Sequence, residues 1–402
     1  MTTTPDLALA AEFPAVDRAQ WLALVDKVLK GAPFERRLVS TTYDGIAIQP
    51  LYTAADVVER PEQYPGQPNF TRGATAARPE RGAWEIRQTQ VHPDPAEANR
   101  RIIEDLEGGV GSLALRLDVG GAGAVDGVVI GGAADLATLL DGVYLDLVPI
   151  VVEAGTRFAS AAELLFDLWE SKDIAPDQRR GSLGADPLGA LAVTGRLPQG
   201  LSGALAEIAD LAQRCATLPN VRVVEVDTAP YVDAGASEAE ELGLMLATGV
   251  AYLRALVDAG MSPDAAARTI GFTISADADV FASIAKLRAA RRIWAHALAA
   301  VGVDAASSFS VRTAGRMMTR RDPWVNMLRT TAACFAAGVA GAEAVTVQPF
   351  DVALGQADGL ARRIARNTQL ILQEESNIGV VSDPAGGSWF LESLTTQLAD
   401  RA

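Results

Sequence analysis

Between Trp84 and Ile378 the chain alternates short runs of β-type residues with longer segments of helical period, and this alternation constrains the fold more than any other feature. Such a repeat builds a parallel sheet, because each helix carries the chain back to start the next strand in the same direction. The strand candidates are residues 84–88, 112–118, 143–151, 181–185, 221–227, 270–275, 307–313 and 344–348. Eight units predict an α/β fold, a closed (β/α)8 TIM barrel. Two doubly wound domains are disfavoured, since no linker rich in Pro, Gly and Ser separates the fourth and fifth candidates. The fourth is weakest in propensity, with Gly181, Gly184 and Pro187 in or beside it.

Helix boundaries follow from caps and spacing. Ala98, Ile102 and Leu106 share a face that stops at Gly108-Gly109. Ser160 with Glu163, and Ser237 with Glu240, read as capping boxes, and Asp279 reads as the cap of a segment reaching Leu298. Ahead of the barrel, residues 13–31 have an amphipathic helical pattern. Residues 38–82 are irregular, with Tyr43-Asp44-Gly45-Ile46 as a turn between two short strands. The expected domains are therefore an N-terminal arm, residues 1–82, and a barrel, residues 83–402. The arm is either an interface element or a belt on its own barrel.

The 50 acidic residues outnumber the 35 basic ones, giving a formal charge of -15 that disfavours nucleic acid and anionic membranes as partners. Cys215 and Cys334 sit in apolar helical patterns with no ligand spacing, which suits a reduced cytoplasmic protein. No signal-peptide pattern opens the chain, and no apolar run is long enough to span a bilayer.

Active sites of such barrels lie at the C-terminal ends of the strands. The residues expected there are Gln88, Thr89, Gln90, Asp118, Asp186, Asp227, Thr228, Tyr231, Asp277, Asp279, Arg312, Thr313, Arg316 and Gln348. Of two histidines, only His92 falls at that end, and His296 lies within a helix. Asp186, Asp227 and Asp277 lack metal-ligand spacing and are explained as helix caps or ion-pair partners. The glycines at 120–124 and 131–132 lack the order of a phosphate-binding loop.

Several stretches resemble, in order and spacing, the adenosylcobalamin-dependent acyl-CoA mutases. They are Asp44-Gly45-Ile46 with Pro50-Leu51-Tyr52-Thr53; Trp84-Glu85-Ile86-Arg87-Gln88; Ala234-Gly235-Ala236; and Ala285-Lys286-Leu287-Arg288-Ala289-Ala290-Arg291. Asp322-Pro323-Trp324 with Asn326, Arg363-Ile364-Ala365-Arg366-Asn367-Thr368-Gln369 and Asp383-Pro384-Ala385-Gly386-Gly387-Ser388 complete the set. The resemblance covers about residues 40–402. Within the family it is similar to the small, non-catalytic subunits of methylmalonyl-CoA mutases.

The resemblance implies a barrel mouth that has lost its chemistry. Thr89 stands where catalytic chains carry a tyrosine, and Pro230 where they carry a carbonyl-polarising histidine. Asp186 stands where an arginine would hold an acyl carboxylate, and 314–318 where a CoA-contacting stretch is expected. It implies no catalytic, cofactor-binding or metal-binding residue here, and a large catalytic subunit as partner in a heterodimer, carrying the adenosylcobalamin. The cobalamin-type C-terminal domain of the family is absent from this sequence, which stops within the helical pattern Leu394 to Ala402 and is therefore expected to be a truncation. The resemblance implies an axial tunnel for the CoA arm in catalytic relatives, which bulky or charged inward groups such as Tyr144, Arg116 and Glu225 would plug; the residues alone leave open whether this axis is open or filled. The alternatives are a mutase-family chain with a shifted acyl-CoA substrate and a CoA-binding regulatory barrel.

Overall fold

The computed structural model describes residues 14, 16–56, 64–76, 83–121 and 126–402. Phe13, parts of the expected irregular stretch and most of the glycine-containing loop at 120–124 lie outside them. The chain divides into two compact units, Met1–Thr53 and Ala54–Ala402.

In the first unit a helix spans Arg18–Leu29. Asp17 opens it with a capping box: its carboxylate accepts from the Gln20 backbone N–H at 2.8 Å, and the Gln20 side chain accepts from the Asp17 N–H at 3.1 Å. No residue of this helix is buried, and Leu24 and Val28 are exposed apolar groups on it. The expected hairpin is present, with Ser40–Thr41 antiparallel to Ala47–Ile48.

The second unit is the barrel. Its strands are β1 (Glu85–Gln90), β2 (Ser112–Val119), β3 (Ile150–Glu153), β4 (Gly181–Ala185), β5 (Val221–Asp227), β6 (Ile270–Ala276), β7 (Phe309–Thr313) and β8 (Ala344–Thr346). Each pairs in parallel with its neighbours in sequence, and β8 pairs with β1 to close the ring. Alternation along the strands sends one side chain set outward to the helices. Phe272 of β6 stacks on Phe309 of β7 at 4.9 Å and meets Trp294 of helix Val280–Ala299 edge-on at 4.8 Å. These three rings are buried, each burial contributing about 2–3 kcal/mol. Among the described residues no helix is long and apolar enough to cross a membrane.

The structure departs from the sequence reading in three places. Residues 143–149 form turns rather than strand; β3 begins only after Pro149, which has no N–H for a ladder. Ser160 is not a cap, because its helix already starts at Phe158, behind Arg157. A short strand, Val128–Ile130, adds to the end of β2 and was not anticipated. Ser237 and Asp279 do cap helices Glu238–Asp258 and Val280–Ala299.

The glycines that weaken β4 in propensity are what its register requires. Gly181 and Gly184 have φ of +128° and +67°, and a Cβ on Gly184 would lie 1.6 Å from the Val152 carbonyl oxygen of β3. The pairing of β4 with β5 shifts register between Ser182 and Ala185, so these glycines carry a bulge. Gly184→Ala is expected to lower stability by about 3 kcal/mol or more in denaturant unfolding. A loss below about 1 kcal/mol would show that the strand can flatten without cost.

The framework motifs act as clamps after the last strand. Arg362 and Arg366 of helix Gly359–Leu370 both pair with buried Asp105 of helix Pro95–Glu107. Gln369 accepts from the Trp84 indole N–H at 3.0 Å, and Gln373 donates to the Trp84 carbonyl at 3.0 Å, fixing the chain at the entrance to β1. Arg288, 1% exposed, pairs with Asp383 and Glu392, and Asp383 also takes Arg72 at 2.6 Å.

Candidate functional site at the barrel mouth

At the C-terminal end of the strands lies a cavity of about 720 Å³. Thr89, Asp186 and Pro230 all line it, so the structure brings together three of the four positions singled out in the sequence, while residues 314–318 are not part of the lining. Gln88, Gln90, Asp227, Arg312 and Gln348 line it too. Tyr231, Asp277, Asp279, Thr313, Arg316 and His92 are not part of the lining.

A lattice of ion pairs crosses the cavity floor. Arg312, at the end of β7, pairs with Glu153 at the end of β3 and, at 2.9 Å, with Asp227 at the end of β5. Arg116 of β2 reaches the other Glu153 oxygen at 3.2 Å. Burial alone would raise the Glu153 carboxyl, but Arg312 and Arg116 together hold it below the ordinary glutamate value. Burial likewise disfavours the charged Arg312, yet Asp227 and Glu153 keep its pKa raised. Glu153 was not anticipated: with the third strand placed at 143–151, it fell outside the strand end that carries it.

A second polar layer lies below. Arg87 of β1 donates to Ser112 of β2 at 3.1 Å, to Ser310 of β7 at 3.0 Å and to Glu85 at 3.2 Å. Glu225 of β5 accepts from the Thr273 hydroxyl of β6 at 2.9 Å. Arg87 also lines a cavity of about 480 Å³ at the opposite end, so it forms part of the wall of both. Arg116 and Glu225 both line the mouth cavity. Tyr144 does not: it is 72% exposed, because its segment is a turn and not a strand.

Asp186 caps helix Pro187–Thr194 by accepting from the Gly189 N–H at 3.0 Å. It also accepts from the Tyr252 hydroxyl at 2.6 Å and from the Asp227 N–H at 3.1 Å. Burial pushes its pKa from the usual 3.8 up to about 6, with the Asp227 charge adding to the rise and the hydrogen bonds opposing it. A folded-state value above the unfolded one stabilises below about pH 4, and the gain is lost as pH rises through about 6. Asp186→Asn keeps an oxygen for Gly189 and Tyr252 but cannot ionise. From about pH 4 to pH 7 the variant is therefore expected to gain roughly 2–3 kcal/mol on the wild type, measured by paired urea titrations. Parallel stability curves for the two proteins would refute the assignment.

The other candidates serve the loops or the surface. Arg316 binds Asp277 at 2.8 Å, Glu238 at 3.1 Å and the Ala236 carbonyl at 2.6 Å, so Asp277 is removed from any cluster with Asp186 and Asp227. Among the described residues no group of three His, Cys, Asp or Glu side chains is placed to hold a metal ion. His92 accepts the Asp94 N–H through Nδ1 at 3.2 Å, and His296 is exposed on helix Val280–Ala299.

Fold and site define a (β/α)8 barrel whose mouth is built at the strand ends, where such barrels do their chemistry, but is spanned by mutually neutralising charges. Residues 41–402 match the methylmalonyl-CoA mutase family, and the chain belongs to it. It is 48% identical to the methylmalonyl-CoA mutase small subunit of Streptomyces virginiae, over 100% of this chain and 65% of that one. The small subunit from Propionibacterium freudenreichii subsp. shermanii is 39% identical over 100% of this chain and 63% of its own. The mitochondrial methylmalonyl-CoA mutase of Bos taurus is 30% identical over 95% of this chain and 54% of its own. The chain thus spans just under two thirds of the small subunits it matches.

Proposed function

We propose that this chain is the barrel portion of the small subunit of a heterodimeric, cytoplasmic methylmalonyl-CoA mutase. It would support a large catalytic subunit that isomerises (R)-methylmalonyl-CoA to succinyl-CoA. The observation that carries the reading is the Arg312–Glu153–Asp227–Arg116 lattice across the mouth, where an acyl-CoA would have to react. The identity to small subunits supports it.

Catalytic and ligand-binding roles are accordingly assigned to no residue here. Thr89 has no aromatic ring to shield a radical, and Pro230 has neither a side-chain donor nor an N–H. Asp186 would repel an acyl carboxylate whenever it is ionised. The family's adenosylcobalamin does not fit the residues at this mouth. Ion-paired side chains cross the cavity floor. The cofactor is assigned to the partner.

In the first unit, the unburied helix Arg18–Leu29 with exposed Leu24 and Val28 supports an arm that packs on the partner. The test is to titrate the purified chain with adenosylcobalamin and to co-express it with a family large subunit. No stoichiometric cobalamin binding and a co-purifying complex are expected. Tight cobalamin binding by this chain alone would overturn the proposal.

A further inference from the structure

At the end of the barrel where the strands begin, the cavity of about 480 Å³ is lined by four arginines and two glutamates, Arg87, Arg180, Arg222, Arg268, Glu85 and Glu343. Most of these charges are matched within the protein. The three nitrogens of the Arg87 guanidinium donate to Ser112, Ser310 and Glu85. Arg268 forks onto Asp264 at 2.9 and 3.2 Å. Glu343 accepts from Arg291 and from the Phe309 N–H, each at 2.8 Å. Of the neutral polar groups, Asn220 donates to the Asp177 carbonyl at 2.7 Å, and the Ser307 hydroxyl accepts from the Trp294 indole N–H at 2.7 Å.

Arg222 and Arg180 remain. The Arg222 side chain, on β5, is 23% exposed, and its ion-pair partner Glu225 lies 3.6 Å from Nε, too far for a hydrogen bond. The other Glu225 oxygen is taken by the Thr273 hydroxyl. The Arg222 Nε is enclosed, while Nη1 and Nη2 are accessible and donate to no atom of the described residues. Gly271 of β6 makes room for this guanidinium, since a Cβ there would lie 2.6 Å from Arg222 Nε and 3.0 Å from Glu225 Oε2. Arg180, the residue before β4, is exposed and its side chain has no partner among the described residues. Because Ser182 of β4 stands opposite Arg222, Arg180 enters the cavity two residues from that rung. A guanidinium fork with free terminal nitrogens, joined by a second unpaired arginine, suits the oxygens of a carboxylate or phosphate. Much of the remaining wall is apolar, with Pro149, Pro219, Val221, Ala267, Ile270 and Ala344, and the volume is that of a small-ligand pocket. The general field of a chain of formal charge -15 repels anions, so any affinity for them here must come from the two arginines.

We propose that this cavity binds a small organic oxyanion, a carboxylate or phosphate monoester with a short apolar body, its charged group held by the Arg222 terminal nitrogens and by Arg180. The site lies at the far end of the axis from the mouth and requires no partner subunit. The test is calorimetric titration of the purified chain at low ionic strength with butyrate, propyl phosphate and, as the neutral control, butyramide. Saturable binding of at least one anion below about 10 mM is expected, with butyramide at least about tenfold weaker. The tighter anion identifies the head group. Arg222→Gln, which removes the fork, should weaken the anion about tenfold or more, and Arg180→Gln about threefold or more. Should Arg222→Gln fold poorly for want of a cation beside Glu225, the exposed Arg180→Gln decides alone. Anion binding that neither substitution weakens, butyramide binding as tight as that of the anions, or no saturation by either anion below about 10 mM would overturn the proposal.

Discussion

Lys286→Met is expected to destabilise the barrel by about 3–5 kcal/mol. Lys286 and Glu241 form an ion pair at 2.5 Å with side chains 2% and 1% exposed. The other Glu241 oxygen accepts from the Thr228 hydroxyl at 2.6 Å and the Ser275 N–H at 2.8 Å. One carboxylate thereby joins helices Glu238–Asp258 and Val280–Ala299 to β6 and to the residue that follows β5. Methionine fills much of the lysine volume, so the loss reflects the charge left behind on Glu241 rather than a cavity. Adding Glu241→Gln, which keeps the accepting oxygen without the charge, should restore about half of the loss. A single-variant loss under about 1 kcal/mol in denaturant unfolding would mean that the pair adds nothing to the fold.

The second large effect is expected at Arg312→Met. Glu153 would retain Arg116, but Asp227 would lose its ion-pair partner inside the mouth. A cost of about 3 kcal/mol is expected near neutral pH. Its pH dependence has a definite sign. Burial already raises the Asp227 carboxyl with Arg312 in place, and without Arg312 both carboxyls should bind protons still more readily in the folded state, so the variant loses more stability than the wild type as pH rises. The gap should therefore narrow by at least about 1 kcal/mol between pH 8 and pH 5. A gap constant across that range would indicate that the arginine acts through packing alone. Arg312→Met/Glu153→Gln/Asp227→Asn should recover part of the loss by removing both stranded charges.

How much of this was legible depends on the kind of signal. The eight-unit alternation and the bounds of β4 and β5 follow from local patterning, although β4 had the poorest propensity. Its glycines serve a bulge, and bulge geometry overrides propensity. The run at 143–149 misled because Val, Tyr and Leu in a turn look like a strand when read one residue at a time. Ser160 misled because a capping box fixes a helix start only when no turn of helix precedes it. At the mouth, Asp227 and Arg312 could be named from their places at strand ends, and Arg116 as an inward-pointing group. That Arg312 would reach across the axis to Glu153 could not, because which residues face one another across a barrel depends on strand stagger, which local sequence does not encode. The roles of Tyr252 and Glu241 were hidden in the same way, each inside a helix with nothing local to mark it.

The clamps after β8 also bear on the order in which the molecule can assemble. Gln369 holds Trp84 across a separation of 285 residues, and Arg362 holds Asp105 across 257. During synthesis, β1 emerges long before the groups that secure it, so the seam between first and last strands must stay unfastened until the final helices have left the ribosome. A ring fastened so late gains little from its early segments, and loop closure must be met before these contacts reward it. Folding should therefore be limited by the joining of the two ends rather than by the formation of any one βα unit.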